Sequence, residues 1–160
     1  MTNEQLKINN QQFLGFYLSP EIQVMLPTQH LAKILSLELT TIVPIPDMPE
    51  AVVGVCPWQG EVLWLIDIAY LLGSKPILMP DYNQTKCNVL KVTTQGFSLG
   101  LVVYKIGQLV KCDLSQIRPA SHDEIKPHLN SYYQTNWLYL NEESLPILDV
   151  EAVRDNLSLV

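Results

Sequence analysis

The sequence predicts a mainly β fold made of two small antiparallel barrels with a few short helices, and three observations carry that prediction. Apolar runs are short, closely spaced and separated by Gly, Pro and Asn turn residues, which is the pattern of many short strands rather than of helices. The run Val62–Ile66 ends at Asp67, a helix-capping residue type, followed by Ile68, Leu71 and Leu72 at helical spacing and by Gly73 as a stop. That strand-to-helix corner recurs at Leu145–Leu148, Asp149, Val150 and Val153, an offset of 82 from Asp67 to Asp149. The recurrence implies two related halves. A two-sheet sandwich is the alternative arrangement of the same strands.

The elements follow in order. Residues 1–12 read as a flexible, polar lead-in. Phe13–Leu18 is a strand, Ser19-Pro20-Glu21 a turn set by proline, and Ile22, Val24 and Leu26 a second strand with one buried face, Gln23 and Met25 pointing away. Thr28 is placed to cap a helical turn over Gln29–Lys33. Residues 34–42 hold a further strand. The segment Pro44–Pro49, with three prolines, is irregular because proline lacks an amide donor and biases its neighbour to extended shapes. Ala51–Cys56 and Glu61–Ile66 form a strand pair joined by Pro57-Trp58-Gln59-Gly60, with Trp64 in the core.

Ser74–Lys86 reads as a linker. Beyond it the same order of elements begins again: Cys87–Thr94, a turn at Gln95-Gly96, and Phe97–Lys105. Ile22, Val24 and Leu26 align with Phe97, Leu99 and Leu101 at an offset of 75, and Leu31 and Ile34 with Ile106 and Leu109 at the same offset. The growth from 75 to 82 places an insertion in Arg118–Gln134. Trp137–Leu140 resumes a strand and Glu151–Leu157 is a terminal helix. Residues 13–157 therefore read as a single domain, with one subdomain at about 28–86 and a second at about 13–27 plus 87–157, and with room for strand exchange between them.

Composition excludes several functions. The chain has 160 residues, 48 % hydrophobic and 16 % charged, which suits a packed domain rather than a disordered one. Ten Lys and Arg stand against sixteen acids, a net charge of −6, so a nucleic-acid partner or an anionic membrane surface is disfavoured. No apolar stretch approaches the roughly 20 residues needed to span a bilayer, and the N-terminus shows no signal-peptide pattern. The sequence reads as cytoplasmic.

Catalytic patterns are missing. Cys56, Cys87 and Cys112 are odd in number and fit neither a CxxC pair nor a disulfide framework, so buried thiols are expected. His30, His122 and His128 match no zinc-binding spacing. The chain lacks a GxSxG elbow and a glycine-rich phosphate loop. Asp67 and Asp149 read as helix caps in separate halves rather than as an acid–base pair. No catalytic residue, cofactor or metal is expected. Trp58 has two readings, an exposed partner hot spot or a ring folded over a barrel end.

Taken together, Gly54–Gly73 (GVCPWQGEVLWLIDIAYLLG), the preceding Pro44-Ile45-Pro46 and Pro49, Gly100–Val103 and Ile147-Leu148-Asp149 resemble the CheW-like family. The resemblance runs from about Gln12 to Asn156. It implies two intertwined five-stranded SH3-like barrels with no enzymatic activity, acting as a scaffold or adaptor in chemotaxis, phototaxis or pilus-based motility. The implied partners are the regulatory domain of a CheA-type histidine kinase and the cytoplasmic tip of a chemoreceptor. Carried over position by position, the implied partner-binding residues are Leu31, Lys33, Gly54, Trp58, Gln59 and Ile106. The chain departs from the family pattern in three places. Gln59 stands for the turn arginine, which removes a planar cation that an amide cannot replace. Lys33 reverses the sign of a glutamate, and Tyr104 replaces an acid after the Val-Val pair. Such changes alter partner choice. The alternative function is a small barrel that binds a ligand or catalyses a reaction in the cleft between its halves.

Overall fold

A computed structural model describes residues 10–78, 83–120 and 131–157. The strands are β1 (Asn10–Tyr17), β2 (Gln23–Pro27), β3 (Leu31–Glu38), β4 (Val52–Trp58), β5 (Glu61–Asp67), β6 (Lys86–Thr94), β7 (Phe97–Val103), β8 (Lys105–Asp113), β9 (Ile117–Pro119), β10 (Asn136–Leu140) and β11 (Glu143–Leu145). Two short α-helices, α1 (Ile68–Leu71) and α2 (Val150–Leu157), follow the two corners. The mainly β class expected from the sequence is what the structure shows. One sheet has five strands in the order β3-β6-β7-β5-β4, and two have three, β2-β1-β8 and β11-β10-β9.

The duplication is written into the pairing registers. Cys56↔Leu63 and Trp58↔Glu61 in the first half reappear as Leu138↔Leu145 and Leu140↔Glu143 at an offset of 82. Val43↔Val55 reappears as Arg118↔Trp137. Leu14↔Leu26 reappears as Leu90↔Leu101. The parallel contact Leu65↔Gly100 has its counterpart in the bridge Met25↔Ile147. That bridge is held by Met25 N–H to the Pro146 carbonyl and Leu148 N–H to the Met25 carbonyl, both 2.9 Å, and it joins the two three-stranded sheets edge to edge.

Sheet membership divides the chain differently from the expected 28–86 and 13–27 plus 87–157. β6 and β7 pair with β3 and β5, while β1 pairs with β8, so the exchange is reciprocal: each half lends a hairpin to the other. The cause is local. Only Tyr104 separates β7 from β8, and a single residue cannot reverse the chain into a hairpin. β8 therefore leaves the sheet that holds β7.

Exchange also corrects the reading of β2. Its Met25, expected to point outward, is fully buried. Leu14, Phe16, Val24 and Leu26 face the larger core, while Phe13 and Met25 face a smaller one with Cys112, Leu138, Leu145 and Ile147. A hairpin inserted between two cores is apolar on both faces, which alternation in one strand does not reveal.

Other expectations shift by a few residues. Asn10, Gln11 and Gln12 belong to β1 rather than to the lead-in, pairing with Asp113, Cys112 and Lys111; residues 1–9 lie outside the described residues. The helical turn expected over Gln29–Lys33 is a shorter 3-10 turn, Thr28–His30, and Leu31 already opens β3. Thr28 does not cap it; its hydroxyl donates to the Gln12 carbonyl at 3.2 Å instead. Pro57 and Trp58 extend β4, which leaves Gln59 and Gly60 as a two-residue turn with φ of 46° and 80°. Both lie in the left-handed region, the backbone conformation of the two-residue turns whose twist matches that of the flanking strands. β7 ends at Val103, and the expected strand end at Lys105 is the start of β8. Trp64 packs on the core but is only partly buried. The expected linker is anchored at its start, where Ile77 is buried; its residues 79–82, and most of the expected insertion, 121–130, lie outside the described residues.

Candidate functional site

The structure brings some of the residues implied by the resemblance together and separates others. Lys33, on the edge strand β3, projects its ammonium over the Trp58 ring, 5.4 Å from the centroid. β3 and β4 are opposite edges of the five-stranded sheet, so this contact shows that the sheet curls until its edges approach. The chain itself assists. After β3 it passes through a 3-10 turn, Leu39–Thr41, and pairs Val43 with Val55 on the outer edge of β4. A cation over an indole face at an exposed site contributes about 0.5–1 kcal/mol.

Two residues that the sequence did not single out complete this patch. Lys91 lies opposite Lys33 across the β3–β6 pair, a like-charge neighbour that costs stability when unrelieved. Glu61, the cross-strand partner of Trp58, relieves it with a carboxylate 3.5 Å from the Lys91 ammonium. The site is thus an indole framed by two cations and one carboxylate. No signal in the one-dimensional spacing links residues 33, 58, 61 and 91. Gln59 is exposed at the tip of the turn beside this patch.

Trp58 resolves toward the folded-back reading. It is partly buried and packs against the main core. Its indole nitrogen is enclosed without a hydrogen-bond partner among the described residues, a state that costs about 1–3 kcal/mol.

Gly54 is not a surface residue. It is buried, its φ is +151°, and a Cβ there would stand 2.3 Å from the Val43 carbonyl oxygen. Leu31 and Ile106 are both partly buried and both pack against the main core. They hold equivalent positions beside equivalent bulges, Leu31↔Val92 on the five-stranded sheet and Phe16↔Ile106 on the other. Three residues further along each strand, Ile34 and Leu109 are 47 % and 61 % exposed, an apolar pair at matching positions on the two edge strands β3 and β8. Tyr104 is exposed too.

The two corner aspartates are structural. Asp67 accepts from the amides of Tyr70, Ile77 and Leu78 at 3.2, 2.8 and 3.2 Å, and Asp149 accepts from the Ala152 amide at 3.1 Å. Burial raises the Asp67 carboxyl above the ordinary aspartate value, and the backbone donors offset only part of that rise. The three cysteines are buried free thiols. Burial, with Cys56 and Asp67 nearby, pushes the Cys87 thiol up to about 11. Alkylation by iodoacetamide at pH 8 is therefore expected to be slow at Cys87 and to rise sharply in urea, because the thiolate is the nucleophile; rapid labelling of the folded protein, located by mass spectrometry, contradicts this. Among the described residues no group of His, Cys, Asp and Glu could hold a metal ion. His122 and His128 lie outside the described residues, while His30 sits against the Thr93 carbonyl at 3.3 Å. No helix among the described residues is long and apolar enough to cross a membrane.

A groove of about 760 Å³ lies elsewhere, between the end of α1, the β1–β2 turn and the β10–β11 hairpin.

Residues 12–157 match the family model described as CheW-like domain. Among solved structures, the chain is similar to the scaffolding protein TtCheW from Thermoanaerobacter tengcongensis, with a TM-score of 0.71 and 17 % sequence identity over 88 % of this chain and 89 % of that one. A search of the curated proteins found no match.

Proposed function

The chain belongs to the CheW-like family, and from that premise we propose that it is a non-enzymatic cytoplasmic scaffold that couples a chemoreceptor-type protein to a CheA-type histidine kinase in chemotaxis, phototaxis or pilus-based motility. The observation that carries this reading is the family match, which extends over residues 12–157, nearly the whole chain. The scaffold works by holding two proteins at a fixed geometry, so that a rearrangement in one reaches the other.

Each surface is given a role in this reading, from the positions that the family resemblance implies. The patch of Lys33, Trp58, Gln59, Glu61 and Lys91 takes the kinase regulatory domain, with the Lys33 ammonium on Trp58 supplying the cation that Gln59 lacks. Leu31 and Ile106, with the exposed Ile34 and Leu109 beyond them, take the receptor tip. Exposed apolar side chains rimmed by polar ones are what a protein partner buries.

The test uses the kinase regulatory domain and receptor tip encoded in the same genome, with affinities measured by calorimetry. Lys33→Glu is expected to weaken kinase binding about tenfold and to leave receptor binding unchanged, because a rim charge reversal acts on the facing partner alone. Ile34→Asp, at a position that is 47 % exposed, is expected to abolish receptor binding with the thermal transition retained, whereas Leu31→Asp also lowers stability because Leu31 packs against the main core. Full-strength binding of both partners by Lys33→Glu and Ile34→Asp removes the assignment of surfaces. Absence of binding by the unaltered protein removes the scaffold reading itself.

A further inference from the structure

We propose that the groove between α1 and the β1–β2 turn is a docking site for a basic amphipathic helix of a partner protein. The internal duplication points to this site independently of the scaffold reading. α1 and α2 leave equivalent corners, capped by Asp67 and Asp149, but they differ in length. α2 runs eight residues, Val150–Leu157. Its second turn seats Val153 and Leu157 in the core, 0 % and 2 % exposed. It also grips the hairpin beside it: the Thr94 hydroxyl donates to Glu151 and the Arg154 guanidinium donates to the Thr94 carbonyl, both at 3.4 Å.

α1 stops after four residues. Gly73, at φ 87°, turns the chain, with Gly73 N–H bonded to the Tyr70 carbonyl and Ser74 N–H to the Ala69 carbonyl, the pairing that ends a helix at a left-handed glycine. At the offset of 82, the place of the buried Leu157 falls to Lys75, which is exposed. The hairpin equivalent to the one α2 grips is β1–β2, with Leu18 in the place of Thr94. The groove opens there. One half therefore has a helical turn packed on its hairpin, and the other has the same hairpin and an open groove.

The lining states the chemistry of the occupant. Leu18, Leu72 and Trp137 are at most 5 % exposed and form an apolar floor, and Ile22, 44 % exposed, stands at the lip. Among the described residues, Glu21 and Glu143 are the charged members of the lining, both exposed; two cations stand outside it, the exposed Lys75 next to the lining residue Ser74 and Lys105 over the Tyr17 ring, 5.8 Å from its centroid. An apolar floor with an acidic rim fits a helix bearing aliphatic residues four apart, as Val153 and Leu157 are in α2, and an arginine beside the first, as Arg154 is.

The probe is a fluorescein-labelled synthetic helical peptide with leucines four apart and an arginine after the first, read by fluorescence anisotropy against a scrambled peptide of the same composition. Saturable binding of the ordered peptide alone is expected. The double variant E21K/E143K is expected to lower its affinity at least about tenfold, and Ile22→Ser to lower it without altering the thermal transition, since both carboxylates and this isoleucine are exposed. Val62→Ser, at an exposed position outside the groove lining, is expected to leave it unchanged. Equal affinity for the scrambled peptide, binding that survives the charge reversal, or no binding at all overturns the proposal.

Discussion

Replacing Gly54 by alanine is expected to lower the unfolding free energy by about 2–6 kcal/mol, combining roughly 1–3 kcal/mol of backbone strain with a similar overpacking cost. The backbone at Gly54 has φ +151°, which L side chains rarely adopt, and the added carbon would fall 2.3 Å from the Val43 carbonyl oxygen and 2.9 Å from its carbon. Both obstacles are backbone, so no side chain can swing aside. Relief requires Val43 to move away from β4, which breaks the reciprocal bonds between Val43 and Val55 at 2.8 and 2.9 Å and frees the chain that ties the β3 edge to the β4 edge. A urea titration monitored by tryptophan fluorescence reads the loss as a lower midpoint. Gly60→Ala is the control. Its φ of 80° is also left-handed, but a Cβ there meets nothing within 4 Å, so the expected cost is about 1 kcal/mol. Equal losses for the two variants would show that conformation alone matters and that the contact with Val43 does not. The result also bears on function: a partner-binding defect in Gly54→Ala is expected to track the unfolded fraction, because this glycine is buried.

What the sequence showed and what it hid follow from where the determinants lie. The corners were legible because their causes are local: an apolar run, an aspartate, a helical spacing and a glycine all occur within fourteen residues, Gly60–Gly73. The duplication was legible because matched registers need matched spacing, and the offsets of 75 and 82 reappear in the strand pairs. β8 carries no strand signal in the sequence. Its nine residues, KIGQLVKCD, bury only Cys112 and expose Leu109, so neither periodicity nor apolar content marks them. An edge strand is defined by its partner β1, which lies some 95 residues away in sequence (Leu14↔Leu109). The patch was half legible for the same reason. Trp58 and Gln59 stand next to one another in the chain, whereas Lys33 and Lys91 reach them only once the sheet has curled. Met25 shows a different limit: one strand's alternation reports one face, and only the exchange of hairpins puts a core on the other.

Asp67→Ala is expected to cost about 3–4 kcal/mol, because it removes a helix cap and strands three amide donors at once. Asp67 is 4 % exposed. One carboxylate oxygen accepts from Tyr70, closing the first turn of α1, and the other accepts from Ile77 and Leu78, holding the chain after α1 so that Ile77 enters the core. Asp67→Asn separates these roles. An amide presents one acceptor and one donor group. If its oxygen caps Tyr70, its NH₂ confronts the Ile77 and Leu78 amides; if it turns, the cap is lost. A loss of about 1–2 kcal/mol is expected, smaller than for alanine. The pH dependence carries a sign of its own. Burial raises the folded carboxyl above the ordinary aspartate value of 3.8, so the folded state holds the proton more tightly than the unfolded chain does. The stability from that proton is fully present below pH 3.8 and is lost as pH rises through the folded value. Asp67→Asn has no such proton. The difference in unfolding free energy, unaltered protein minus Asp67→Asn, is therefore expected to be largest below pH 3.8 and to fall as pH rises toward neutrality, in urea titrations run across that window. A difference that instead grows with pH would mean that the three amide donors outweigh burial and hold the carboxyl below its ordinary value.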